Sequence, residues 1–277
     1  MIPGPDRIGE AFGAAAKRGS AVLVTYVMAG DPDLASSREM ALACAAGGAD
    51  ILEIGMPFSD PIADGKTIQG AGERALRSGT TIAGCLRMAT EVRSKTDAAI
   101  ALMGYVNPVL AYGEERFLDE CVRAGVDAVI LPDLPPEEAA SFRQAAASRG
   151  VKLVFLLAPT STPARVEAAC QAATGFVYFV SVTGVTGART TLPPDLGEKV
   201  AAVRRQSPVP VVVGFGVGTP AQVREVGRLA DGVVVGSAIV ARIAQGGARK
   251  VRAERVRRFV ASLSRALTSP GARSPAR

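Results

Sequence analysis

The chain has no histidine and no tryptophan, and its 277 residues include only 4 tyrosines and 9 phenylalanines. Histidine is the usual proton carrier near neutral pH, so acid–base chemistry here must fall to other groups, carboxylates first. A mixed Cys/His zinc site is excluded. The four cysteines, Cys44, Cys85, Cys121 and Cys170, stand far apart with no CxxC pair, which is poor spacing for an all-cysteine metal site. They read as free thiols of a reducing cytoplasm, and no metal is expected. No apolar stretch reaches the roughly 18 residues that would suggest a membrane span. The opening Met1-Ile2-Pro3-Gly4-Pro5-Asp6-Arg7 lacks the apolar core of a signal peptide.

What is present is a large apolar fraction, 48% of residues, enough for a sizeable core. The formal charge is +6, but it is unevenly placed: residues 242–277 carry ten Lys/Arg and one Glu. Arg249, Lys250, Arg252, Arg255, Arg257 and Arg258 fall on one last helix, followed by Ser-Pro-Gly-Ala-Arg-Ser-Pro-Ala-Arg. A nucleic-acid surface would spread its basic residues over a face with aromatics nearby. The pattern instead reads as a solvated helix face and a frayed tail, with no nucleic-acid partner.

Short β-branched runs recur at 21–28, 50–55, 98–104, 128–131, 152–157, 176–181, 209–214 and 231–236. Most are nearly continuous apolar runs, as expected of strands covered on both faces. Between them lie stretches such as 114–125, 136–150 and 163–173, whose apolar residues recur at helical spacing. Gly-Val-Asp-Ala-Val-Ile and Leu-Ala-Asp-Gly-Val-Val-Val repeat one device: helix end, Asp turn, strand. Eight such units predict a single-domain α/β fold, the (β/α)₈ TIM barrel, over residues 1–266, with 267–277 as a disordered basic tail. A doubly wound open sheet is the alternative, but no GxGxxG follows the first strand. Strand starts fall 22 to 33 residues apart, except the second and third, which are 48 apart. The excess follows the second strand, in the segment holding Pro57, Asp60, Pro61, Asp64 and Gly65, where barrel enzymes build sites.

Glu53 lies in the otherwise apolar second strand, and bare carboxylates are costly there unless something offsets the desolvation. Ile51 and Glu53 share one face of the strand, and Leu52 and Ile54 the other. The second face suits packing on the helices, so Glu53 is predicted to point into the barrel near its C-terminal mouth. Burial raises a carboxyl pKa and suits it to proton transfer. The competing reading, a Glu paired with an internal cation, finds no partner in the strand cores beyond Lys152, which opens its strand at the opposite end. Asp64 alone reads as a turn residue before Gly65. Paired with Glu53, it allows one carboxylate to exchange protons and the other to stay ionised.

A phosphate site is predicted at the ends of the last two strands. Val213-Gly214-Phe215-Gly216-Val217-Gly218 leads to Thr219 and Pro220 as N-cap and first residue of a helix. Val235-Gly236-Ser237 opens another. Glycines admit close backbone approach, and free N–H groups at a helix start attract an anion. The segment 181–191 holds small polar residues with Gly184 and Gly187, which suits either a closing lid or a plain connection. The phenol of Tyr178 faces the mouth or fills a core layer.

The segment Leu52-Glu53-Ile54-Gly55-Met56-Pro57-Phe58-Ser59-Asp60-Pro61-Ile62-Ala63-Asp64-Gly65 resembles the signature of the tryptophan synthase alpha chain family. Tyr105-Val106-Asn107-Pro108, Leu131-Pro132-Asp133-Leu134-Pro135, Gly184-Val185-Thr186-Gly187, Gly214-Phe215-Gly216 and Gly236-Ser237-Ala238-Ile239-Val240 resemble that family in its order. The likeness spans about residues 6–262. It implies a lyase that splits indole-3-glycerol phosphate into indole and glyceraldehyde 3-phosphate in tryptophan biosynthesis. Glu53 would then be the acid/base and Asp64 the group that holds the indole N–H. Gly187, Gly216, Gly236 and Ser237 would hold the phosphate, Tyr26, Tyr178 and Phe215 would line the indole pocket, and Thr186 would close onto Asp64. The resemblance also implies a beta chain partner, in an alpha2-beta2 heterotetramer, which carries the pyridoxal phosphate; no cofactor is expected in this chain. Asp60, Pro61, Asn107, Pro108 and Asp133 match partner-facing positions.

Three features depart from the family pattern. Val182 stands where many members have Arg, Pro132 stands where a small alanine is common, and the basic C-terminal extension has no counterpart. Two other readings are a free-standing indole-glycerol-phosphate lyase and a non-catalytic subunit that activates a beta chain. Intact Glu53, Asp64 and phosphate loops argue against the regulator. Another phosphate-binding barrel isomerase would need a different acid/base set.

Overall fold

A computed structural model describes residues 5–180, 192–214 and 216–268. Its strands are β1 (Val22–Met28), β2 (Ile51–Gly55), β3 (Ala99–Met103), β4 (Ala128–Ile130), β5 (Lys152–Leu157), β6 (Val177–Val180), β7 (Val211–Gly214) and β8 (Gly232–Val235). All pairings are parallel and the strands close in chain order, β8 back onto β1. The predicted (β/α)₈ barrel is thus the fold, each strand within one or two residues of its expected bounds.

Strand parity divides the core into two layers. Leu23, Leu52, Ile54, Ile100, Leu102, Val129, Val211 and Val213 pack outward against the helices. Val22, Val24, Tyr26, Ile51, Ala101, Ala128, Tyr178 and Val212 fill the barrel interior. Helix Arg7–Lys17 closes the N-terminal end of the barrel. Asp6 caps it by accepting from Gly9 N at 3.0 Å, and Phe12 meets Phe176 with ring centroids 6.0 Å apart.

The helix–Asp–strand device recurs with a fixed role. A side chain within three residues before each even-numbered strand accepts a backbone N–H from the odd-numbered strand before it. Asp50 accepts from Leu23 N at 2.8 Å, Asp127 from Ile100 N at 2.8 Å, and Asp231 from Val211 N at 2.9 Å. In the third quarter Thr174 Oγ1 does the same for Leu153 N at 2.8 Å. Each Asp also meets an Arg from the end of the helix preceding the odd strand: Arg18, Arg93 and Arg204, at 2.9, 3.4 and 3.0 Å. Arg7 adds a second cation on Asp127 at 3.2 Å, tying the N-terminal helix to β4. Lys152 pairs with Asp6 at this same end, away from Glu53.

The long β2–β3 connection differs from its sequence reading. Beyond the loop 56–65, it holds a separate helix, Lys66–Arg77, before a second one, Ile82–Arg93, that leads into β3. Arg74 anchors the extra helix by a bidentate pair to buried Asp31 after β1, at 2.7 and 2.8 Å. At the C-terminal end the basic helix Arg249–Thr268 is only partly a solvated face. Arg257 and Arg258 are exposed and pair with Glu254, whereas Arg255 donates to the carbonyls of Arg242 and Gly246 that end the preceding helix. The rest of the predicted tail, 269–277, lies outside the described residues.

Candidate active site at the C-terminal mouth

Glu53 sits on the interior face of β2, in register between Tyr26 of β1 and Ala101 of β3. The small Ala101 leaves the carboxyl room, and the aromatic Tyr26 walls its other side. Glu53 is 1% exposed, and among the described residues it forms no ion pair, so the internal-cation reading fails. Its Oε2 is buried with no hydrogen-bond partner among those residues. Burial, reinforced by the charge of Asp64, pushes its carboxyl up to about 8.

Asp64 is brought over the same mouth by the loop after β2 and is 9% exposed. Burial raises it to about 6, and the Tyr105 phenol, hydrogen-bonded to its carboxylate, offsets part of the rise. Tyr105 follows β3 and fixes this loop from the neighbouring unit. Its hydroxyl accepts from Ala63 N at 3.0 Å, and its ring meets Phe58 at 5.2 Å. Gln69 adds a bond from Nε2 to the Asp64 carbonyl at 2.8 Å. Asp133, after β4, accepts from Val106 N with both carboxylate oxygens, at 3.0 and 3.1 Å, and so steadies the chain just past Tyr105. Three consecutive loops therefore hold Asp64 in place.

Tyr26 and Tyr178 are both buried, and both belong to the interior layer of the barrel. Burial and the nearby Glu53 and Asp64 charges push both phenols well above their ordinary value, so they stay neutral. Each needs a glycine across from its hydroxyl. A Cβ on Gly55 would lie 2.0 Å from the Tyr26 hydroxyl, and one on Gly214 would lie 2.5 Å from that of Tyr178.

Gly216 takes a φ of +78°, a backbone that side chains rarely adopt. Thr219 and Gln222 form a capping box, as the Thr-Pro start predicts. Gln222 Oε1 also takes the N–H groups of Gly218 and Thr219, at 3.0 and 3.2 Å. Those donors are therefore committed, and the free anion donors fall on the next helix, Ser237–Ala244. Gly236 is its N-cap and its carbonyl accepts from Ile239 and Val240. The N–H groups of Ser237 and Ala238 have no partner within the helix, and Ser237 is exposed at the mouth. Thr186, Gly187, Phe215 and Val182 lie outside the described residues. Pro132 occupies a half-buried turn after β4.

Sequence reasoning gave no role to Tyr105, Gln69 or Gly55. For Tyr105 a signal existed: of four tyrosines, three (Tyr26, Tyr105, Tyr178) lie in or just after predicted strands, at the end where sites form. Among the described residues no cluster of His, Cys, Asp or Glu can hold a metal ion, and no helix is long and apolar enough to cross a membrane.

The family model for the tryptophan synthase alpha chain matches residues 12–268. The chain is 52% identical over 235 residues to the alpha chain of Citrifermentans bemidjiense, covering 85% of this chain and 88% of that one. It is 48% identical over 262 residues to that of Pelobacter propionicus, covering 95% and 98%. In three dimensions it is similar to a tryptophan synthase structure of Mycobacterium tuberculosis, with a TM-score of 0.88, 36% identity and coverage of 96% and 100%. It also resembles the alpha chain of Legionella pneumophila, with a TM-score of 0.87, 32% identity and coverage of 97% and 99%. A likeness this long, in sequence and in fold, places the chain in the tryptophan synthase alpha chain family.

Proposed function

We propose that this chain cleaves indole-3-glycerol phosphate into indole and glyceraldehyde 3-phosphate by a retro-aldol step. The observation that carries the proposal is the carboxyl pair at the mouth, Glu53 pushed up to about 8 and Asp64 to about 6, with the open helix start at Ser237 at the same mouth. At neutral pH Glu53 holds a proton and Asp64 is ionised, which divides the acid and anion roles between them.

The chemistry needs three things, and the site can supply each. Glu53 donates its proton to indole C3, and the positive charge that spreads onto the ring nitrogen is balanced by Asp64 accepting the N–H. Glu53, now a carboxylate, removes the proton from the hydroxyl on the carbon bonded to the ring. The O–H electron pair becomes the aldehyde C=O, the carbon–carbon bond breaks, and its pair returns to the ring to give neutral indole. Glu53 ends protonated, as it began. The phosphate is held by the N–H groups at Ser237 and the glycines Gly216 and Gly236; the family resemblance adds Gly187, Thr186 and Phe215, which lie outside the described residues. Tyr26 and Tyr178 wall the pocket.

The same reading gives the chain a beta partner in an alpha2-beta2 assembly in the cytoplasm. Pyridoxal phosphate belongs to that partner and no cofactor to this chain. Ile62 at 80% exposure and Leu110 at 56%, both on mouth-side segments, support a covered face. The test is the rate of cleavage by purified protein with and without a cognate beta chain. Slow turnover alone and faster turnover in the complex are expected. Glu53→Gln should lower kcat by a factor on the order of 10²–10⁴. Near-normal turnover in that variant would remove Glu53 from the acid/base role.

A further inference from the structure

Two buried polar atoms of the mouth lack good partners. Glu53 Oε2 has none among the described residues. Among the described residues the Tyr26 hydroxyl, on a side chain 5% exposed, has only the thioether of Met28, at 3.7 Å. A thioether sulfur is a weak acceptor, and buried polar groups are ordinarily satisfied. Tyr26 and Glu53 are register partners on adjacent strands and point into the same interior.

The path of Tyr26 is also specific. Its Cβ lies where a side chain on Gly236 would begin, 3.3 Å from that imagined Cβ, while its hydroxyl ends against Gly55. The ring thus runs from the start of the helix that offers free N–H groups to the strand end just above Glu53. A phosphorylated chain bound between these points would pass along it. What can satisfy both idle atoms at once is a hydroxyl group, which gives its own proton to one partner and accepts from another.

We propose that the Tyr26 hydroxyl turns from Met28 to donate a hydrogen bond to the substrate hydroxyl whose proton Glu53 removes. This rests on the lyase reading above and gives Tyr26 a role beyond lining the pocket. As the O–H proton passes to the Glu53 carboxylate, negative charge builds on that oxygen before the C=O forms. A donor already aimed at it stabilises the charge, and the Tyr26 proton stays on Tyr26 throughout.

The test compares wild type, Tyr26→Phe and Met28→Leu in complex with a beta chain, on two ligands. One is indole-3-glycerol phosphate; the other is indole-3-propanol phosphate, which lacks both glycerol hydroxyls. For Tyr26→Phe, kcat for cleavage should fall about 10- to 100-fold. Its Kd for the propanol phosphate should stay within about twofold, because the lost bond is one that this ligand never makes. Met28→Leu should cleave within about twofold of wild type, since the sulfur is only the resting partner. The assignment fails if Tyr26→Phe cleaves like wild type. It fails equally if the propanol phosphate loses affinity in step with kcat, or if Met28→Leu is as damaged as Tyr26→Phe, since either result marks a packing role. Wild type that does not cleave would overturn the lyase reading and this assignment together, whereas an active wild type beside an equally active Tyr26→Phe overturns the assignment alone.

Discussion

In the unfolded chain Glu53 titrates near its ordinary 4.5, and in the barrel near 8, so between these values the folded protein holds a proton that the unfolded chain releases. Stability linked to this group is complete below the lower value and is lost as pH rises towards the upper one, by about 1.4 kcal/mol for each unit crossed. Glu53→Gln removes the titration while keeping the shape. The variant should therefore gain stability over wild type as pH rises from about 5 to 8 and gain no more above that. Urea midpoints at a series of pH values read this directly, and a constant difference across the range would refute the buried proton. On the proposed lyase reading the same pair would set the rate profile of the free enzyme: kcat/KM should rise as Asp64 ionises through about 6 and fall as Glu53 loses its proton through about 8. In Asp64→Asn the rate falls and the acid limb disappears. The alkaline limb moves to lower pH, because removing a nearby negative charge makes Glu53 easier to ionise. An alkaline limb that stays in place would mean that the two carboxyls do not sense one another.

Among the elements, the side chains that precede the even strands carry most of the visible order at the N-terminal end. Asp127 is the extreme case: its side chain is 8% exposed, and it holds Arg7, Arg93 and the Ile100 N–H together. Asp127→Ala removes the counter-charge of two guanidinium groups, Arg93 keeping its bonds to the carbonyls of Thr96 and Ala98, and should cost about 3–5 kcal/mol. Thr174→Val loses one neutral bond, the N–H of Leu153, and should cost about 1–3 kcal/mol. Urea denaturation of the two variants checks the order, and equal costs would show that the charges contribute nothing beyond the backbone bond. The repeat was legible in sequence as Gly-Val-Asp and Leu-Ala-Asp, but its target was not, because the accepted N–H belongs to a strand 20 to 27 residues earlier. Strand parity was legible for the opposite reason: it depends only on neighbours, so Glu53 could be aimed from Ile51, Leu52 and Ile54. Helix Lys66–Arg77 escaped because Gly70 and Gly72 interrupt its propensity, and tertiary contacts, Arg74 on Asp31 among them, decide its state. Tyr105 escaped because its partners Ala63 and Asp64 lie on another loop, some 40 residues away.

At the scale of the whole molecule the two ends of the barrel are specialised. The N-terminal end holds the Asp and Arg clamps and the helix Arg7–Lys17, where each buried charge has a partner. The C-terminal end holds carboxyls and phenols with raised pKa values, and exposed apolar side chains on two neighbouring segments. These segments are physically joined. Ile62 precedes Ala63, whose N–H is held by Tyr105, and Tyr105 opens the helix Val106–Tyr112 that carries Leu110. A partner covering Ile62 and Leu110 would press on both sides of the bond network that sets Asp64. Ile62→Glu places a charge at the centre of that face while leaving every catalytic group untouched. Cleavage by the chain alone should stay within about twofold of wild type, because surface changes away from special features leave the fold nearly undisturbed. The concentration of beta chain needed to raise the rate should increase at least about tenfold, the cost of burying a charge where an apolar side chain belonged. A titration of the rate with beta chain measures both quantities. If Ile62→Glu is activated at the wild-type concentration, the partner docks on another face; if its unassisted rate collapses, Ile62 supports the loop rather than the interface.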